Sequence, residues 1–323
     1  MSVTQERGLR ALVTGAAGFI GSQLVRALCE RSYEVIGIDC FREYYPRRAK
    51  ESNVATWAEG GFAPALVECD VRALTTEHVR DIDVIFHLAG QPGVRKSWGE
   101  FNSYLEDNVQ ATQHLLALAS ERSTAKFVYA SSSSVYGNIG GVPARESSGT
   151  RPFSPYGVTK LAAEQLCCAY ADNFGLPAVA LRYFTVYGPH QRPDMAFHRF
   201  LKAALSDQAI GVYGDGSQRR DFTYVDDIVR GTIAASEADL TPGTVINLAG
   251  GEVVTLAEVL ELVETIIGRP LRVMYRQEHA GDVHATAAST EMAQKCLDWR
   301  PQVRLEEGLR AELAWLTGTL VGD

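Results

Sequence analysis

A tyrosine and a lysine in the segment Tyr156-Gly-Val-Thr-Lys160 have side chains that together could move a proton. On a helix, residues four apart lie on the same face, so both side chains can act on one bound molecule. A tyrosine in water has a pKa of about 10 and is a poor base near neutral pH, but a nearby cation such as Lys160 favours its phenolate. An isolated Tyr-x-x-x-Lys pattern is more often part of an ordinary amphipathic helix, so the surrounding chain must decide between the two interpretations.

Composition places the chain among ordinary globular proteins and argues against several function classes. It has 323 residues, of which 46% are hydrophobic and 22% charged, and this length is enough for about two domains with a substantial core. The net charge of -8 and the lack of a basic run argue against a nucleic-acid partner. No segment approaches the roughly 18 apolar residues of a membrane span, and the first ten residues are polar rather than signal-like. We therefore expect a cytoplasmic protein with no membrane partner.

The six cysteines do not have the spacing of a zinc site. They are Cys29, Cys40, Cys69, Cys167, Cys168 and Cys296. We expect reduced, non-catalytic thiols and no metal site.

A glycine-rich turn near the N-terminus joins a predicted strand to a predicted helix. Leu9 to Val13 is a short apolar run, and Phe19 to Arg31 has the pattern of an amphipathic helix. Between them, Gly15, Gly18 and Gly21 allow a tight turn and a close approach of the backbone to a ligand, and the free N–H groups of the new helix attract a pyrophosphate. A strand-to-helix turn without a ligand would have the same local pattern.

An acidic residue at the end of the second apolar run strengthens the case for a dinucleotide. Glu34 to Ile38 ends in Asp39, where a carboxylate would accept hydrogen bonds from the ribose of adenosine. Cys40 rather than an arginine follows Asp39, so the 2'-phosphate of NADP would meet an uncompensated carboxylate. The predicted cofactor is therefore NAD.

The rest of the chain alternates between strand-like and helix-like segments, which predicts an α/β fold with a doubly wound, Rossmann-like parallel sheet and ligands at the carboxyl ends of its strands. Further strands are predicted at Ala65 to Val67, Val84 to Leu88, Phe127 to Ala130 and Ala178 to Leu181, and helices at Tyr104 to Glu121, Tyr156 to Phe174, Ala196 to Ser206 and Thr255 to Ile267. We expect a first domain over residues 1–182, with a return segment at about 223–240, and a smaller, interleaved C-terminal domain over 183–323.

Several strings together resemble the extended short-chain dehydrogenase/reductase family of nucleotide-sugar enzymes, over nearly the whole chain. They are Thr14-Gly-Ala-Ala-Gly-Phe-Ile-Gly21, Asp39, Asp70, Ser131-Ser-Ser-Ser-Val-Tyr-Gly137, Tyr156 to Lys160 and Arg219-Arg-Asp-Phe-Thr-Tyr224. Within that family, the segments 87–95, 129–137 and 182–195 look most like 4-epimerases that act on UDP-glucuronate. The resemblance implies an NAD-binding first domain and a C-terminal domain that binds a UDP-sugar.

The resemblance also implies roles for the first residues discussed. Tyr156 would remove the proton of the sugar C4 hydroxyl as a 4-keto intermediate forms, while Lys160 would favour the phenolate and hold the nicotinamide ribose. Ser132 occupies the serine or threonine position of the family and would bridge the C4 oxygen to Tyr156. The cofactor would lie along Gly15, Gly18, Phe19, Ile20, Gly21, Asp39, Asp70, Val71, Leu88, Ala89, Asn108, Ser131, Tyr156, Lys160 and Tyr183, with Asp70 at the adenine edge.

The serine run discriminates between branches of the family. Related 4,6-dehydratases carry Thr-Asp-Glu before Val-Tyr-Gly, whereas this chain has Ser132, Ser133 and Ser134 there. Hydroxyl groups are not useful bases near neutral pH, so dehydration is disfavoured. Related glucuronate decarboxylases carry a glutamate at the position of Ser134, which weakens that alternative as well.

A uronic acid oxidised at C4 is a β-keto acid, and its carboxylate leaves readily when the C5–C6 bond aligns with the carbonyl π system. Arg192 is suited to hold the carboxylate in one orientation, and Thr185, Ser133 and Ser134 could add hydroxyl donors. On charge pattern alone, Arg192 could instead be a loop arginine paired with Asp194.

The nucleotide half of the substrate is assigned by family position to the second domain and to one strand-end loop. Arg220 would pair with the diphosphate, Met195 and Tyr213 would flank the uracil, Asp282 would hold the ribose, and Gly93 and Arg95 would complete the substrate site. The chain departs from UDP-galactose 4-epimerases at His279, where those enzymes usually carry an arginine.

Three alternatives to UDP-glucuronate 4-epimerisation stay open at this point. They are a 4-epimerase of a neutral UDP-hexose, a UDP-glucuronate decarboxylase, and a non-catalytic dinucleotide-binding regulator, although such regulators usually lose the tyrosine and the lysine. The family also leads us to expect a homodimer. The helices Tyr104 to Glu121 and Tyr156 to Phe174 have apolar faces that could form a four-helix contact or an internal core.

Overall fold

The computed structural model describes residues 8–121, 126–138, 143–277 and 283–321. Its strands are β1 (Arg10–Thr14), β2 (Glu34–Asp39), β3 (Ala65–Glu68), β4 (Val84–His87), β5 (Lys126–Ser132), β6 (Ala178–Tyr183), β7 (Val186–Tyr187), β8 (Ile210–Tyr213), β9 (Arg219–Asp221), β10 (Thr223–Tyr224), β11 (Val245–Leu248), β12 (Val253–Thr255) and β13 (Val273–Arg276). Its α-helices are α1 (Phe19–Glu30), α2 (Arg47–Glu59), α3 (Phe101–Tyr104), α4 (Ala111–Ser120), α5 (Pro155–Phe174), α6 (Ala196–Leu205), α7 (Val225–Glu237), α8 (Leu256–Ile267), α9 (Glu291–Leu297) and α10 (Leu305–Val321). Among the described helices, none combines the length and apolar character needed to cross a membrane.

A seven-stranded parallel sheet forms the centre of the molecule, in the order β11-β6-β5-β4-β1-β2-β3. The apolar runs predicted as strands lie in this sheet. Helices cover both faces of the sheet, and a parallel strand that is covered on both faces requires a continuous apolar sequence. The predicted α/β fold with a doubly wound parallel sheet is confirmed.

Alternate residues of the central strands enter two separate cores, as the two-residue period of a strand requires. Leu12 packs in the core that includes Leu115 of α4 and Ala163 of α5. Val13, the next residue, packs in the core that includes Leu24 of α1 and Val229 of α7. Helices therefore cover both faces of the sheet, and the strand ends between them are left to form a site.

The C-terminal half contributes both to a second region and to the central sheet. Outside the sheet, β8 pairs with β13 and β9 with β12, next to α6, α8 and α10. Within the predicted return segment, α7 packs on α1, and β11 then joins the sheet beside β6. The division into residues 1–182 and 183–323 stays a proposal.

Two helical segments differ from the sequence pattern. The predicted helix Tyr104 to Glu121 is divided into α3, a π-helical segment Leu105–Gln110, and α4. Helix α2 was not predicted, because the residues that it buries include Lys50 and Asn53 beside Trp57. A helix that buries polar side chains lacks the apolar stripe from which helices are read in a sequence.

Candidate active site

A cleft of about 450 Å³ lies at the carboxyl ends of the central strands. Predicted site residues that line it are Gly15, Gly18, Phe19, Ile20, Gly21, Asp39, Asp70, Val71, Leu88, Ala89, Gly93, Ser131, Ser132, Ser133, Ser134, Tyr156, Lys160, Tyr183, Thr185, Arg192 and Met195. Four others, Asn108, Arg95, Tyr213 and Arg220, are not part of its lining. Asp282 and His279 lie outside the described residues.

The turn between β1 and α1 has room only for glycines at two positions. Gly15 has a φ of +72°, and a Cβ atom there would lie 2.8 Å from the backbone nitrogen of Ala89. A Cβ on Gly21 would lie 2.0 Å from the carbonyl oxygen of Gly15. Helix α1 begins without a side-chain cap at Gly18, and the N–H groups of such a helix end bind phosphate. The turn therefore fits the pyrophosphate of a dinucleotide.

Asp39, at the end of β2, is buried, and its carboxylate oxygens already accept several hydrogen bonds. Its Oδ1 accepts hydrogen bonds from the backbone N–H of Phe41 at 2.7 Å and from Lys50 Nζ at 3.0 Å, and its Oδ2 accepts one from the N–H of Ala17 at 3.2 Å. A carboxylate has about four acceptor positions, so roughly one remains for a ribose hydroxyl. Lys50, on α2, also lines the cleft and balances the charge of Asp39, so the expectation that this carboxylate is uncompensated is wrong.

The other acidic side chains that line the described part of the cleft, Asp70 and Asp107, are held by arginines. Asp70 accepts hydrogen bonds from Arg72, with the shortest side-chain distance 2.8 Å from Nη2, and these bonds lower its pKa. Arg42 Nη2 donates to Asp107 Oδ1 at 2.8 Å, and its ion pair with Asp70 is longer, at 3.7 Å. These carboxylates therefore form an ion-pair cluster at the predicted adenosine end of the cleft.

Helix α5 carries Tyr156 and Lys160 into the cleft. Its start is fixed by Pro155 in the first turn and by Ser154, whose Oγ accepts a hydrogen bond from the N–H of Gly157 at 3.1 Å. Burial raises the pKa of Tyr156, while the Ser132 hydroxyl and the Arg192 guanidinium lower it. Ser132 and Arg192 are thus the neighbours that favour a phenolate at Tyr156.

Lys160 lies deeper than Tyr156, with Nζ 4.7 Å from the centre of the Tyr129 ring. Burial lowers the pKa of its ammonium group to about 8, although Cys167 and Glu164 partly oppose this shift. Lys160 is therefore mainly charged near neutral pH although it is buried.

Arg192 and Asp194 form a bidentate ion pair beside the reaction end of the cleft. Arg192 Nε and Nη2 each donate to one oxygen of Asp194 at 3.0 Å. The guanidinium carbon lies 5.6 Å from the centre of the Tyr44 ring. The pairing that the charge pattern suggested is thus present, and it occurs in an arginine that lines the cleft.

Asn108 lies in the π-helical segment and does not line the cleft, but it forms hydrogen bonds with a loop that does. Its Oδ1 accepts a hydrogen bond from the N–H of Gln91 at 2.6 Å, and its Nδ2 donates to the Gln91 carbonyl at 3.1 Å and to Thr159 Oγ1 at 3.0 Å. It thereby ties the cleft-lining loop after β4 to helix α5. Single π-helical turns occur frequently near functional sites.

Among the residues assigned to the nucleotide half of the substrate, Met195 lines the cleft, whereas Arg95, Tyr213 and Arg220 do not. Arg95 directly follows the lining residue Val94, and its guanidinium lies 4.1 Å from the centre of the Tyr213 ring. Arg220 Nη1 donates to the carbonyl oxygens of Arg219 and His284. Their contacts with a nucleotide stay predictions.

The cleft-lining residues that were not found from the sequence include a group of four, Arg42, Tyr44, Tyr45 and Lys50. All follow β2 within eleven residues of Asp39. The tyrosine pair is the one signal that could have indicated them, because adjacent aromatic residues just after a strand end lie where a doubly wound sheet binds its ligand.

Comparisons with known proteins agree with this geometry. Residues 11–249 match the model of the NAD dependent epimerase/dehydratase family.

The chain is 42% identical over 317 residues to YtcB of Bacillus subtilis, named an uncharacterized UDP-glucose epimerase, covering 98% of this chain and 100% of the relative. It is 36% identical over 310 residues to a UDP-glucuronate 4-epimerase of Thermodesulfobacterium geofontis, covering 94% and 95%. The crystal structure of UDP-glucuronic acid 4-epimerase from Bacillus cereus with UDP-glucuronic acid and NAD superposes with a TM-score of 0.92 at 42% identity, covering 96% and 100%. The chain belongs to the NAD dependent epimerase/dehydratase family.

Proposed function

We propose that this protein is an NAD-dependent 4-epimerase that converts UDP-glucuronate to UDP-galacturonate through a 4-keto intermediate. The observation that carries the proposal is the presence of Arg192, a cation able to bind a carboxylate, in one cleft with Tyr156 and the serine run Ser132–Ser134. The relatives that act on UDP-glucuronate support the same substrate.

Tyr156 acts as the base at the sugar C4 hydroxyl, and Ser132 bridges that oxygen to the tyrosine. Ser132 and Arg192 both lower the pKa of Tyr156, which favours the phenolate that this step requires. The glycine turn and Asp39 hold NAD, and Lys160 binds its nicotinamide ribose. When bound, NAD would supply the hydride acceptor and donor that inversion at C4 requires.

Epimerisation is favoured over dehydration and decarboxylation by the positions of the acidic groups. Within the described residues, the acidic side chains that line the cleft are Asp39, Asp70 and Asp107. Each of the three is bonded to a lysine or arginine at the adenosine end. The side chains beside the sugar C5 and C6 are instead the hydroxyl groups of Ser133, Ser134 and Thr185. These can orient a carboxylate but are poor acids and bases.

A 4-epimerase of neutral UDP-hexoses is the second candidate, because YtcB, which is 42% identical, is named a UDP-glucose epimerase. The two candidates differ in whether the sugar carboxylate is needed. A neutral hexose leaves the Arg192 guanidinium without a carboxylate to bind, so we expect UDP-glucose to react far more slowly than UDP-glucuronate.

The test is incubation of the purified protein with UDP-glucuronate or UDP-glucose, without added NAD, followed by identification of the product. UDP-galacturonate is expected, from cofactor retained through purification, and Tyr156→Phe should abolish it. A UDP-pentose as the main product would mean that decarboxylation dominates. Faster conversion of UDP-glucose to UDP-galactose would favour the second candidate.

We further propose that the protein is a cytoplasmic homodimer. All six cysteines are unpaired, as is usual in a reducing compartment. Trp98, Phe101, Leu105 and Val158 are exposed apolar residues on α3, α5 and the segments adjoining α3, and these segments pack against one another. Two copies of this group, here called the dimer face, would bury each other in a four-helix contact.

A further inference from the structure

We propose that Asp194 is a positioning residue that fixes the Nε–Nη2 edge of Arg192, so that the remaining N–H groups of the guanidinium hold the substrate carboxylate in the orientation that prevents its loss. The proposal deepens the proposed function and rests on it. It adds a residue that the sequence suggested only as a possible surface partner of Arg192.

The first support is the placement of the two members of the pair. Arg192 lines the cleft and its side chain is 17% exposed, whereas Asp194 does not line the cleft and is 40% exposed. The carboxylate thus approaches the guanidinium from outside the cleft. It contacts the Nε–H and one Nη2–H, each at 3.0 Å.

The second support is the number of donors that this arrangement leaves. A guanidinium carries five N–H groups in a rigid fork, and Asp194 uses two of them, so three remain on the Nη1 and Nη2 side. Two of these can bind a second carboxylate in a bidentate manner. Arg192 is therefore able to bind Asp194 and a uronate at the same time.

The third support is that the paired guanidinium already faces the reacting end of the cleft. In this position its charge lowers the pKa of Tyr156. The Tyr44 ring lies on its flank, with the ring centre 5.6 Å from the guanidinium carbon. Asp194 and Tyr44 together restrict a long, flexible side chain, and binding to a fixed group loses less entropy than binding to a mobile one.

The consequence for the reaction concerns the fate of the 4-keto uronate. If the ring changes its conformation so that the C5–C6 bond lies parallel to the π orbitals of the C4 carbonyl, that bond breaks and its electron pair forms an enolate with the C4 ketone. C6 then leaves as CO2, and a proton adds to C5. A guanidinium held by Asp194 fixes the position of the carboxylate and so prevents this conformational change, whereas a mobile guanidinium permits it.

The experiment compares Asp194→Ala and Asp194→Asn with the wild type, all as NAD-loaded protein. The matched control is Glu291→Gln, which alters another bidentate pair, that of Arg145 and Glu291 with bonds of 2.8 and 2.9 Å, away from the cleft. The Kd of UDP-glucuronate and of UDP is measured by calorimetry, and the ratio of UDP-pentose to UDP-galacturonate is measured by product analysis. Melting temperature reports on folding.

We expect Asp194→Ala to weaken UDP-glucuronate binding about tenfold, as for loss of a charge-assisted contact, with UDP binding unchanged and the pentose fraction increased. Asp194→Asn, which can still accept one hydrogen bond, should be intermediate, and Glu291→Gln should match the wild type. A pentose fraction and a Kd that both stay at the wild-type values in Asp194→Ala would overturn the proposal.

Tighter binding of UDP-glucuronate by Asp194→Ala would also overturn it, because Asp194 would then be a competitor that the substrate must displace. The proposed function fails separately: wild-type protein that binds UDP-glucuronate but forms no UDP-galacturonate would contradict the reaction. In that case the Kd comparison still decides the role of Asp194.

Discussion

Arg192 brings a permanent positive charge to within electrostatic reach of Tyr156, where burial alone would keep the phenol protonated. The sequence pattern predicts Lys160 for this task. In the structure, Lys160 lies over the ring of Tyr129, and the residues that lower the pKa of Tyr156 are Ser132 and Arg192. The arginine that is proposed to bind the uronate is therefore also part of the acid–base chemistry.

Replacement of Arg192 should consequently change the pH dependence of the reaction. Arg192→Ala removes a cation that lowers the pKa of Tyr156, so this pKa should rise and the acidic limb of the kcat/KM profile should move to higher pH. Arg192→Lys keeps the charge and should leave the limb near its wild-type position. The measurement is kcat/KM against pH for the three proteins, and the same limb in Arg192→Ala and the wild type would contradict the electrostatic role.

Site residues that lie in sequence motifs of the family could be predicted. Site residues on a helix that was itself not predicted could not. Tyr156, Ser132 and Arg192 lie in strings that the family resemblance identifies, and all three line the cleft. Lys50 could not be found in this way, because it reaches Asp39 from α2, a helix whose polar residues face inward. Asn108 was assigned to the cofactor, but the structure shows it holding the Gln91 loop to α5, a geometry that depends on the π-helical turn.

Helix α5 is fixed against the sheet by a buried ion pair one turn beyond Lys160. Glu164 is fully buried and binds Arg182 of β6, with Nη2 to Oε1 at 2.6 Å and Nε to Oε2 at 3.0 Å. Glu164 also accepts a hydrogen bond from Ser131 Oγ at 2.6 Å, directly before Ser132. One carboxylate thus connects the helix of Tyr156 to the strand of Ser132.

Loss of the charge on Glu164 should be costly. In Glu164→Gln, Arg182 is left buried without its counter-ion, and we expect the free energy of unfolding to fall by about 3–5 kcal/mol. The exposed pair of Arg145 and Glu291 provides the comparison, since solvent screens this pair and Glu291→Gln should therefore cost much less. Denaturant unfolding measures both variants, and equal losses would show that burial does not govern the Glu164 pair.

The C-terminal helix α10 carries another buried carboxyl group, that of Glu312, with which no cation among the described residues forms an ion pair. Glu312 Oε2 accepts a hydrogen bond from the N–H of Gly188 at 2.9 Å, and its buried Oε1 has no hydrogen-bond partner in the part of the chain that the structure describes. Burial raises the pKa of Glu312 to about 8. The folded protein therefore holds a proton at neutral pH that the unfolded chain, with a glutamate pKa of about 4.3, has released.

This difference gives the stability a defined pH dependence. The contribution of protonated Glu312 is complete below about pH 4.3 and is lost as the pH rises toward 8, because ionisation then favours the unfolded chain. Glu312→Gln should remove this slope, so its stability relative to the wild type should increase from pH 5 to pH 8. Unfolding measured at several pH values tests this, with the exposed Glu307→Gln as the control. A constant difference between Glu312→Gln and the wild type would contradict the assigned pKa.

At the scale of the whole molecule, the described surface includes a group of exposed apolar residues close to the catalytic helix. Val158 of α5 is 49% exposed although it lies two residues from both Tyr156 and Lys160. Trp98, at 56%, is on a segment that packs against α5. Association through the dimer face would therefore support the helix that carries the catalytic residues.

A charge on the dimer face should separate the subunits. We expect the wild type to sediment as a dimer and Val158→Glu to sediment as a monomer, because an ionised carboxylate would be buried without a partner. Met274→Glu, at a similarly exposed apolar residue on β13, should stay dimeric. Sedimentation equilibrium gives the masses, and a monomeric wild type would contradict the proposal directly.

The family and the parallel α/β sheet could be predicted from the sequence, because both depend on local strings and on apolar periodicity. The position of β11 could not, since the pairing of Ile246 with Leu181 is a contact between distant parts of the chain. The strand Val245–Leu248 is short, is interrupted by the polar Asn247, and gives no indication of its partner strand.

The place of β11 beside β6 also constrains the order of events during synthesis. The first six strands of the sheet end at Tyr183, but the edge of β6 stays open until Leu248 has left the ribosome. During that interval the growing chain presents an apolar strand edge, the kind of surface that pairs with other chains. Chaperones that shield strand edges should therefore bind nascent chains arrested between these two lengths, and should release them once β11 is available.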